Sequence, residues 1–280
     1  MQSLLIPAVR VPILLLLAAL AAFALGCQES GFDERKETAR PLKVQHVKGE
    51  SKVPGQAERP ATLTLDTLDD TLALGLRPVV AVAPGTALPG YLRRPAAGVE
   101  TIPPVAAGDL RSVRRARPDL IVGRQGALFE SLSLIAPTVI VEPGSGRWKL
   151  NLRLMGEALG RTNDAEGLLT DYDRRVAAVR SAVRGRPRVA VVRAVEDGWR
   201  FAPRDSFAGT ILADVGVRQM RSFARADVVL LSQPRSEPVR LRARGAYSQA
   251  DVELATWWGP GGALEARAAL RDLRAILGRE

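Results

Sequence analysis

The segment that decides the fold is Asn163–Arg184, with the sequence NDAEGLLTDYDRRVAAVRSAVR. Asn163 and Glu166 have the spacing of a capping box, which is typical of a helix N-terminus. Gly185 and Pro187 then end the helical pattern. At 1.5 Å per residue the predicted helix is about 30 Å long. It therefore forms a stiff connection between the chain segments before and after it. One apolar face is sustained for about five turns, by Ala165, Leu168, Leu169, Tyr172, Val176, Val179 and Val183.

Short apolar strands alternate with helical segments on both sides of this helix. The predicted strands are Ala61–Leu65, Pro78–Ala83, Leu120–Val122, Thr138–Val141, Arg188–Val192 and Val228–Leu231. The predicted helices are Leu68–Leu74, Leu110–Ala116, Ala127–Ile135, Ser206–Val215 and Ala263–Leu277. Continuous apolar strands separated by helices are typical of a parallel sheet that is covered on both faces. The sequence therefore predicts an α/β protein with one lobe before the long helix and a second lobe after it.

The chain divides into five predicted parts. An apolar N-terminal run and a polar tether precede the first lobe, and the long helix separates the first lobe from the second. Two short runs around a turn at Lys48–Glu50 indicate a β-hairpin at the start of the first lobe. The predicted boundaries are 1–26 for a signal peptide, 27–40 for a lipidated cysteine and tether, 41–161 for the N-terminal lobe, 162–186 for the long helix and 187–280 for a shortened C-terminal lobe.

The first thirty residues predict the compartment. Arg10 precedes the apolar run Val11–Ala24, which is shorter than the roughly 20 residues that span a bilayer. A cleavable signal peptide therefore fits better than a permanent helix. The run leads into Ala24–Cys27 (ALGC), which resembles a bacterial lipobox and contains the only Cys of the chain. We expect lipidation of Cys27 and an extracytoplasmic protein that is anchored to the membrane by its N-terminal lipid.

Composition excludes several kinds of site. Of the 280 residues, one is Cys and one is His (His46), so the chain can form neither an internal disulfide nor a zinc site built on several Cys and His ligands. The 40 Lys and Arg outnumber the 30 Asp and Glu, which gives a net charge of +10. The basic residues are spread along the chain, and no nucleic-acid-binding motif accompanies them. We therefore expect no nucleic-acid partner.

Eight sequence blocks, in order over most of the mature chain, resemble one family. They include Arg117–Val122 (RPDLIV), Ile135–Val139 (IAPTV), Phe207–Leu212 (FAGTIL) and Gly259–Leu264 (GPGGAL). The chain is similar to the substrate-binding proteins of ABC importers for siderophores and vitamin B12. This resemblance implies two Rossmann-like lobes joined by one long spine α-helix, as in class III periplasmic binding proteins, with a ligand cleft between the lobes and little hinge closure. It further implies a monomeric binding protein that is not an enzyme and whose partner is an ABC permease.

The resemblance also places the ligand contacts, on loops at the carboxyl ends of the strands. Arg donates paired hydrogen bonds to anionic oxygens, while Trp and Tyr offer flat faces to a ligand. These side chains fit a ferric siderophore complex, which we expect to be anionic, and they call for no separate cofactor. The loops carry both Trp257 and Trp258. The expected ligand-binding residues are Thr67, Tyr91, Arg124, Gln125, Arg193, Trp199, Arg204 and Trp257.

Direct binding of bare iron is not expected. The chain has three Tyr and one His, so it offers few of the side chains that bind ferric iron, and we predict no protein metal site. Haem coordinated by Tyr91 is chemically feasible but less favoured than an iron complex.

Two departures from the family concern docking to the permease. Arg111 stands where the first lobe of the family carries a Glu, and no acidic residue lies between Asp214 and Asp227 in the second lobe. Like charges that face each other across an interface repel. An alternative function therefore stays open: an Arg-rich envelope lipoprotein that binds an anionic surface polymer or lipid without an importer. An envelope hydrolase is disfavoured because the chain has no G-x-S-x-G motif.

Overall fold

Two α/β lobes are present, each built on a five-stranded sheet. The computed structural model describes residues 40–85, 87–104, 110–232 and 248–278. The predicted signal peptide and the predicted lipidation site at Cys27 lie outside these residues. No helix in the described ranges is both long enough and apolar enough to cross a bilayer.

The N-terminal lobe begins with a hairpin of β1 (Leu42–His46) and β2 (Gly49–Val53). Its sheet contains β3 (Pro60–Thr62), β4 (Val80–Val82), β5 (Thr101–Ile102), β6 (Leu120–Gly123) and β7 (Thr138–Ile140). Its helices are α1 (Leu65–Ala73), α2 (Gly90–Arg93), α3 (Arg111–Ala116), α4 (Phe129–Ser133) and α5 (Trp148–Ala158). The strands run parallel in the order β5-β4-β3-β6-β7. The four strands other than the edge strand β5 are fully buried, because helices and loops cover both faces of the sheet.

The long helix α6 (Thr162–Ala182) leads from the first lobe to the second. Its buried residues lie on the apolar face that the sequence predicts, among them Leu169, Tyr172 and Val176. The predicted capping box is wrong, because the helix begins at Thr162 and its N-cap makes no side-chain hydrogen bond. The carboxylate of Glu166 instead forms an ion pair with Arg153 of α5, with 2.7 Å between Oε1 and Nε.

The C-terminal lobe contains β8 (Arg188–Val195), β9 (Gly198–Phe201), β10 (Arg218–Gln219), β11 (Val228–Ser232) and β12 (Ser248–Val252). Its helices are α7 (Phe207–Val215), α8 (Leu254–Trp257) and α9 (Ala263–Leu277). Four strands run parallel in the order β10-β8-β11-β12, and β9 pairs with β8 in the antiparallel direction. The helix α7 begins at the N-cap Ser206, whose Oγ accepts a hydrogen bond from the Gly209 N–H.

One hydrophobic core runs through both lobes. It joins Leu120 of the first sheet, Tyr172 of α6 and Val191 of the second sheet, and it continues into Leu270 of α9. The Tyr172 hydroxyl donates to Asp214 Oδ2 at 2.6 Å, which ties the long helix to the C-terminal lobe. Because protein interiors are close-packed, a core shared by both lobes resists their relative movement.

The predicted fold class is confirmed: an α/β protein with two lobes and one long helix between them. The central strands and the closing helix Ala263–Leu277 lie where the sequence predicts them. The edge strands β5, β10 and β12 were not predicted, and Trp199, which was placed on a loop, lies in β9.

Candidate ligand-binding site

A cavity of about 900 Å³ lies between the two lobes. Leu65 follows β3 and Leu88 follows β4 on the side of the N-terminal lobe. Arg193 of β8 and the end of β12 line the side of the C-terminal lobe. Open α/β sheets bind ligands in the crevice at the carboxyl ends of their strands, and this cavity has that position in both sheets. The predicted cleft between the lobes is therefore present.

Arg193 and Trp258 form a pair of hydrogen-bond donors at this cavity. The guanidinium carbon of Arg193 lies 4.6 Å from the centre of the Trp258 ring, in a cation–π contact. Arg193 Nε and Trp258 Nε1 are both buried, and neither has a hydrogen-bond acceptor. A buried donor left without an acceptor destabilises a protein by about 1–3 kcal/mol. A ligand that brings acceptor oxygens to this pair recovers that free energy on binding.

Carboxylates line the same cavity at the end of β12. Glu253 Oε1 accepts a hydrogen bond from the Gly90 N–H at 2.9 Å, so this bond joins the two lobes at the edge of the cavity. Asp251 Oδ1 accepts from Gln249 Nε2 at 3.0 Å. Arg93 of α2 adds a second cation to the lining. The described lining thus combines two guanidinium groups with two carboxylates.

Arg124 bridges the lobes beside the cavity instead of lining it. Its Nε donates to Asp66 Oδ2 at 2.6 Å, and its two terminal nitrogens donate to the carbonyls of Glu142 at 2.8 Å and Pro260 at 3.3 Å. The Arg124 side chain is 20% exposed and that of Asp66 is 2% exposed. Because Pro260 belongs to the C-terminal lobe, Arg124 holds one wall of the cavity against the other.

A second connection between the lobes caps the N-terminus of α9. Asp69 Oδ1 and Oδ2 accept from the backbone N–H groups of Leu264 at 2.7 Å and Glu265 at 2.9 Å. Asp70 Oδ1 accepts from the N–H of Ala263 at 3.0 Å. Carboxylates are favourable at a helix N-terminus because they satisfy free N–H groups and face the positive end of the helix dipole. We call Asp69, Asp70 and the first turn of α9 the interlobe latch.

Burial changes the ionisation of this region. It raises the pKa of Asp69 to about 7, against the opposing effect of the two backbone N–H bonds. Burial and the neighbouring Asp69 raise the pKa of Asp70 well above its usual range. The pKa of Glu265 is likewise raised by burial and by Asp69. Desolvation disfavours the charged form of a carboxyl group, and several carboxyl groups in one place add to that effect.

Of the eight residues predicted to bind ligand, the structure places one, Arg193, in the described lining of the cavity. Thr67 is buried in the first turn of α1, where its hydroxyl donates to the Thr64 carbonyl at 3.0 Å. The amide of Gln125 donates to the Leu63 carbonyl at 2.8 Å and accepts from the Arg124 N–H at 2.9 Å. Thr67 and Gln125 thus hold the backbone at the carboxyl end of the first sheet and do not belong to the described lining of the cavity.

The other predicted contacts also lie elsewhere. The Tyr91 hydroxyl donates to Glu265 Oε2 at 3.2 Å, and burial raises the pKa of Tyr91. The ring of Trp199 packs edge-on against Phe223, with 6.2 Å between ring centres. Arg204 is exposed outside the cavity lining. Trp257 is 1% exposed, and its Nε1 donates to Asp272 Oδ2 at 2.9 Å.

Four charged or aromatic lining residues were not among the predicted contacts: Arg93, Asp251, Glu253 and Trp258. Trp258 directly follows Trp257, and the end of α8 turns one ring into the core and its neighbour into the cavity. Arg93 follows the buried Leu92. A charged residue next to an apolar one was the sequence signal that could have indicated its exposure. Glu253 lies just after β12, a strand that was itself not predicted.

The chemistry of the lining is that of recognition by charge, hydrogen bonds and an aromatic face. Within the described residues, no group of three or more His, Cys, Asp or Glu side chains is arranged to hold a metal ion.

Comparison with known proteins agrees with this architecture. A Bacillus subtilis protein named probable siderophore-binding lipoprotein YfiY is 30% identical over 212 residues, covering 73% of this chain and 65% of that protein. An achromobactin-binding periplasmic protein of Dickeya dadantii is 30% identical over 170 residues, covering 57% of this chain and 55% of that protein. The chain therefore spans less than two thirds of the length of these curated relatives.

Solved structures show the same fold. Staphylococcus aureus SirA complexed with staphyloferrin B superposes with a TM-score of 0.68 at 23% identity, over 84% of this chain and 97% of that one. The sequence model for the family described as periplasmic binding protein matches residues 61–228, which include most of the first lobe, the whole of α6 and the first strands of the second lobe. The two sheets and the long helix are thus those of a known architecture, and the chain belongs to the periplasmic binding protein family.

Proposed function

We propose that this protein is the lipid-anchored solute-binding component of an ABC importer, and that it binds a ferric siderophore-type complex in the cavity between its lobes. The observation that carries the proposal is the Arg193–Trp258 pair, two buried donors without acceptors at an interlobe cavity of about 900 Å³. The chelating oxygens of catecholate, hydroxamate and carboxylate iron complexes are acceptors of the kind these donors lack.

The comparisons support this ligand class. Two relatives at 30% identity are named for siderophore or achromobactin binding, and SirA was solved with staphyloferrin B. The described cavity wall offers no cluster of side chains that would hold bare iron. We therefore propose that the iron arrives already chelated and that the protein binds the complex without transforming it.

Tryptophan fluorescence of residues 28–280 tests the proposal. The titrants are ferric complexes of catecholate, hydroxamate and citrate type, with cobalamin and haem for comparison, each at low and at high salt. We expect saturable one-to-one quenching by one ferric complex with little dependence on salt. Trp258→Phe should remove most of the quenching, whereas the matched variant Trp257→Phe should keep it, because Trp257 is buried in the core.

Two results would contradict the proposal. One is a folded protein that responds to none of the ferric complexes. The other is binding of an anionic polymer or lipid that weakens steeply as salt is added, which is the behaviour of an Arg-rich surface and not of a cleft.

Anchoring and delivery are part of the same proposal. Lipidation at Cys27 would hold the protein beside the membrane, where it would hand the complex to an ABC permease. Arg111 begins α3 and is exposed, so we propose that the permease surface opposite it is not basic. Cys27→Ser should shift the protein from the membrane fraction to the soluble fraction and lower cellular uptake of the iron complex. An unchanged membrane fraction would rule out lipidation at this residue.

A further inference from the structure

We infer that the preferred ligand is a charge-separated iron complex, with chelate oxygens at Arg193 and Trp258 and a protonated amine arm at the Asp251–Glu253 side of the cavity. This inference rests on the proposed function and refines its ligand class. The charge balance of the cavity differs from that of the whole chain. The protein carries a net charge of +10, yet the described lining contains two Arg and two carboxylates.

Strand register gives the distance between the two ends. Ser232, the last residue of β11, is paired with Arg193 of β8 on one side and with Val252 of β12 on the other. Neighbouring strands lie about 4.8 Å apart, so the backbone at Arg193 and the backbone at Val252 are about 10 Å apart. Asp251 and Glu253 flank Val252 in sequence. The carboxylate end thus begins two strands away from the donor end, at a backbone separation that a short amine-bearing arm of a ligand can span.

The Glu253 carboxylate is held in place but keeps acceptor capacity. Its Oε1 accepts from the Gly90 N–H at 2.9 Å, and its Oε2 lies 3.4 Å from the Thr256 hydroxyl. A carboxylate offers about four lone-pair positions, so two neutral donors leave room for an ammonium group. No Lys or Arg of the described residues forms an ion pair with Glu253. A positioned carboxylate without a cationic partner, at the wall of a ligand cavity, is complementary to a ligand cation.

The donor end has the opposite preference. Arg193 Nε and Trp258 Nε1 lack acceptors, and Ser232 Oγ, at the strand end between the two sites, is also buried without a partner. A ligand that carried negative charge throughout would satisfy this end and be repelled by the Glu253 carboxylate. A ligand that carried positive charge throughout would be attracted by Glu253 and repelled by Arg193. Only a complex with both kinds of group matches the whole described lining.

Pairs of chelators that differ in one amine test the inference. We would use ferric complexes of a linear trihydroxamate and of a tricatecholate, each prepared with a free terminal amine and with that amine acetylated, together with ferric citrate as a polyanion. For the chelate class that binds, we expect the free-amine complex to bind at least tenfold more tightly than its acetylated partner. Glu253→Gln and Asp251→Asn should each reduce that ratio towards one. Glu130→Gln, at an exposed residue of α4, should leave the ratio unchanged.

The outcomes separate this inference from the proposed function. Equal affinity for the amine and acetylated forms, or tightest binding of ferric citrate, would overturn charge separation and leave an iron-complex-binding protein. If both carboxylate variants still bind the free-amine complex more tightly than the acetylated one, the amine arm does not lie at this end of the cavity. Absence of binding by every ferric complex would overturn the proposed function and this inference with it. Glu253→Gln retains an oxygen for the Gly90 N–H, and Asp251 is exposed, so at least one variant is expected to fold normally.

Discussion

Arg193 combines a fixed position with unused hydrogen-bonding capacity. Its backbone is held in β8 between β11 and β9, and its guanidinium rests on Trp258. The side chain is thus ordered before a ligand arrives, so little rotamer entropy is lost on binding. This pre-organisation makes it the first residue to test.

Arg193→Gln should weaken binding of the iron complex identified by fluorescence by about 10- to 100-fold, since a hydrogen bond to a charged group contributes about 1.5–3 kcal/mol. Arg204→Gln is the matched control, because Arg204 is exposed and lies outside the cavity lining. Its dissociation constant should stay within about twofold of the wild type. Equal affinity of the Arg193 variant and the wild type would remove Arg193 from the site.

The sequence pattern predicted where the cavity lies more accurately than it predicted which residues line it. Arg193 was identified because it ends a run of buried apolar residues, a signal that marks the carboxyl end of a strand. Which of Trp257 and Trp258 faces the cavity depends on how the four-residue helix α8 is rotated about its axis. The amino-acid composition does not determine that rotation. Thr67 lies at the correct end of the sheet, but its hydroxyl is taken by the first turn of α1. Local sequence locates strand ends, whereas side-chain partners depend on segments far along the chain.

At the scale of elements, α9 and α1 hold the two lobes together through the interlobe latch. The helix α9 was predicted over its observed range because its apolar spacing is regular and glycines precede it. Nothing in that periodicity indicates that its first turn is capped by carboxylates from another lobe. Asp69 and Asp70 resemble surface residues in the sequence and are buried in the structure.

The latch should make stability depend on pH in a direction opposite to that of ordinary ion pairs. The pKa of Asp69 is raised by burial from 3.8 to about 7. Between these values the native protein retains a proton that the unfolded chain has released. The contribution of Asp69 to the free energy of unfolding is therefore largest below about pH 4. It decreases, by a few kcal/mol at most, as the pH rises from about 4 through about 7. The raised pKa values of Asp70 and Glu265 act in the same direction.

Asp69→Asn should flatten this dependence in urea unfolding experiments at pH 4.5 to 8. The variant should be less stable than the wild type at the acidic end, because an amide offers one acceptor to two backbone N–H groups, and the gap should narrow as the pH rises. His46, whose pKa is lowered by burial, contributes equally to both proteins and cancels in the difference. Asp173→Asn, at an exposed residue of α6, should follow the wild-type curve. A gap independent of pH would show that Asp69 does not titrate in this range.

At the scale of the whole molecule, the lobes share one core and several polar connections. Hydrophobic contacts pass from the first sheet through α6 to the second. Arg124 to Pro260, Glu253 to Gly90 and the interlobe latch add hydrogen bonds across the cleft. A molecule joined in this way should not close around its ligand by a large hinge rotation.

Small-angle X-ray scattering with and without the iron complex tests this rigidity. The radius of gyration should change by less than about 0.5 Å, because domain closure of the hinge type is not available to lobes with a common core. A decrease of about 1 Å or more on binding would contradict the rigid arrangement. The Asp69→Asn variant provides the comparison, since loss of latch bonds should widen the distribution of distances in the unliganded protein.

The interlobe latch also joins residues that lie far apart along the chain. Asp70 and Ala263 are 193 residues apart, and Asp69 and Glu265 are 196 residues apart. A chain emerging from the ribosome or from an export channel therefore presents these aspartates to water long before their partners exist, and in that state they are ionised at neutral pH. Docking of the last helix must bury them, and with raised pKa values it must draw protons from the solvent. We therefore expect completion of the fold to take up protons and to proceed more readily in a mildly acidic compartment than in an alkaline one.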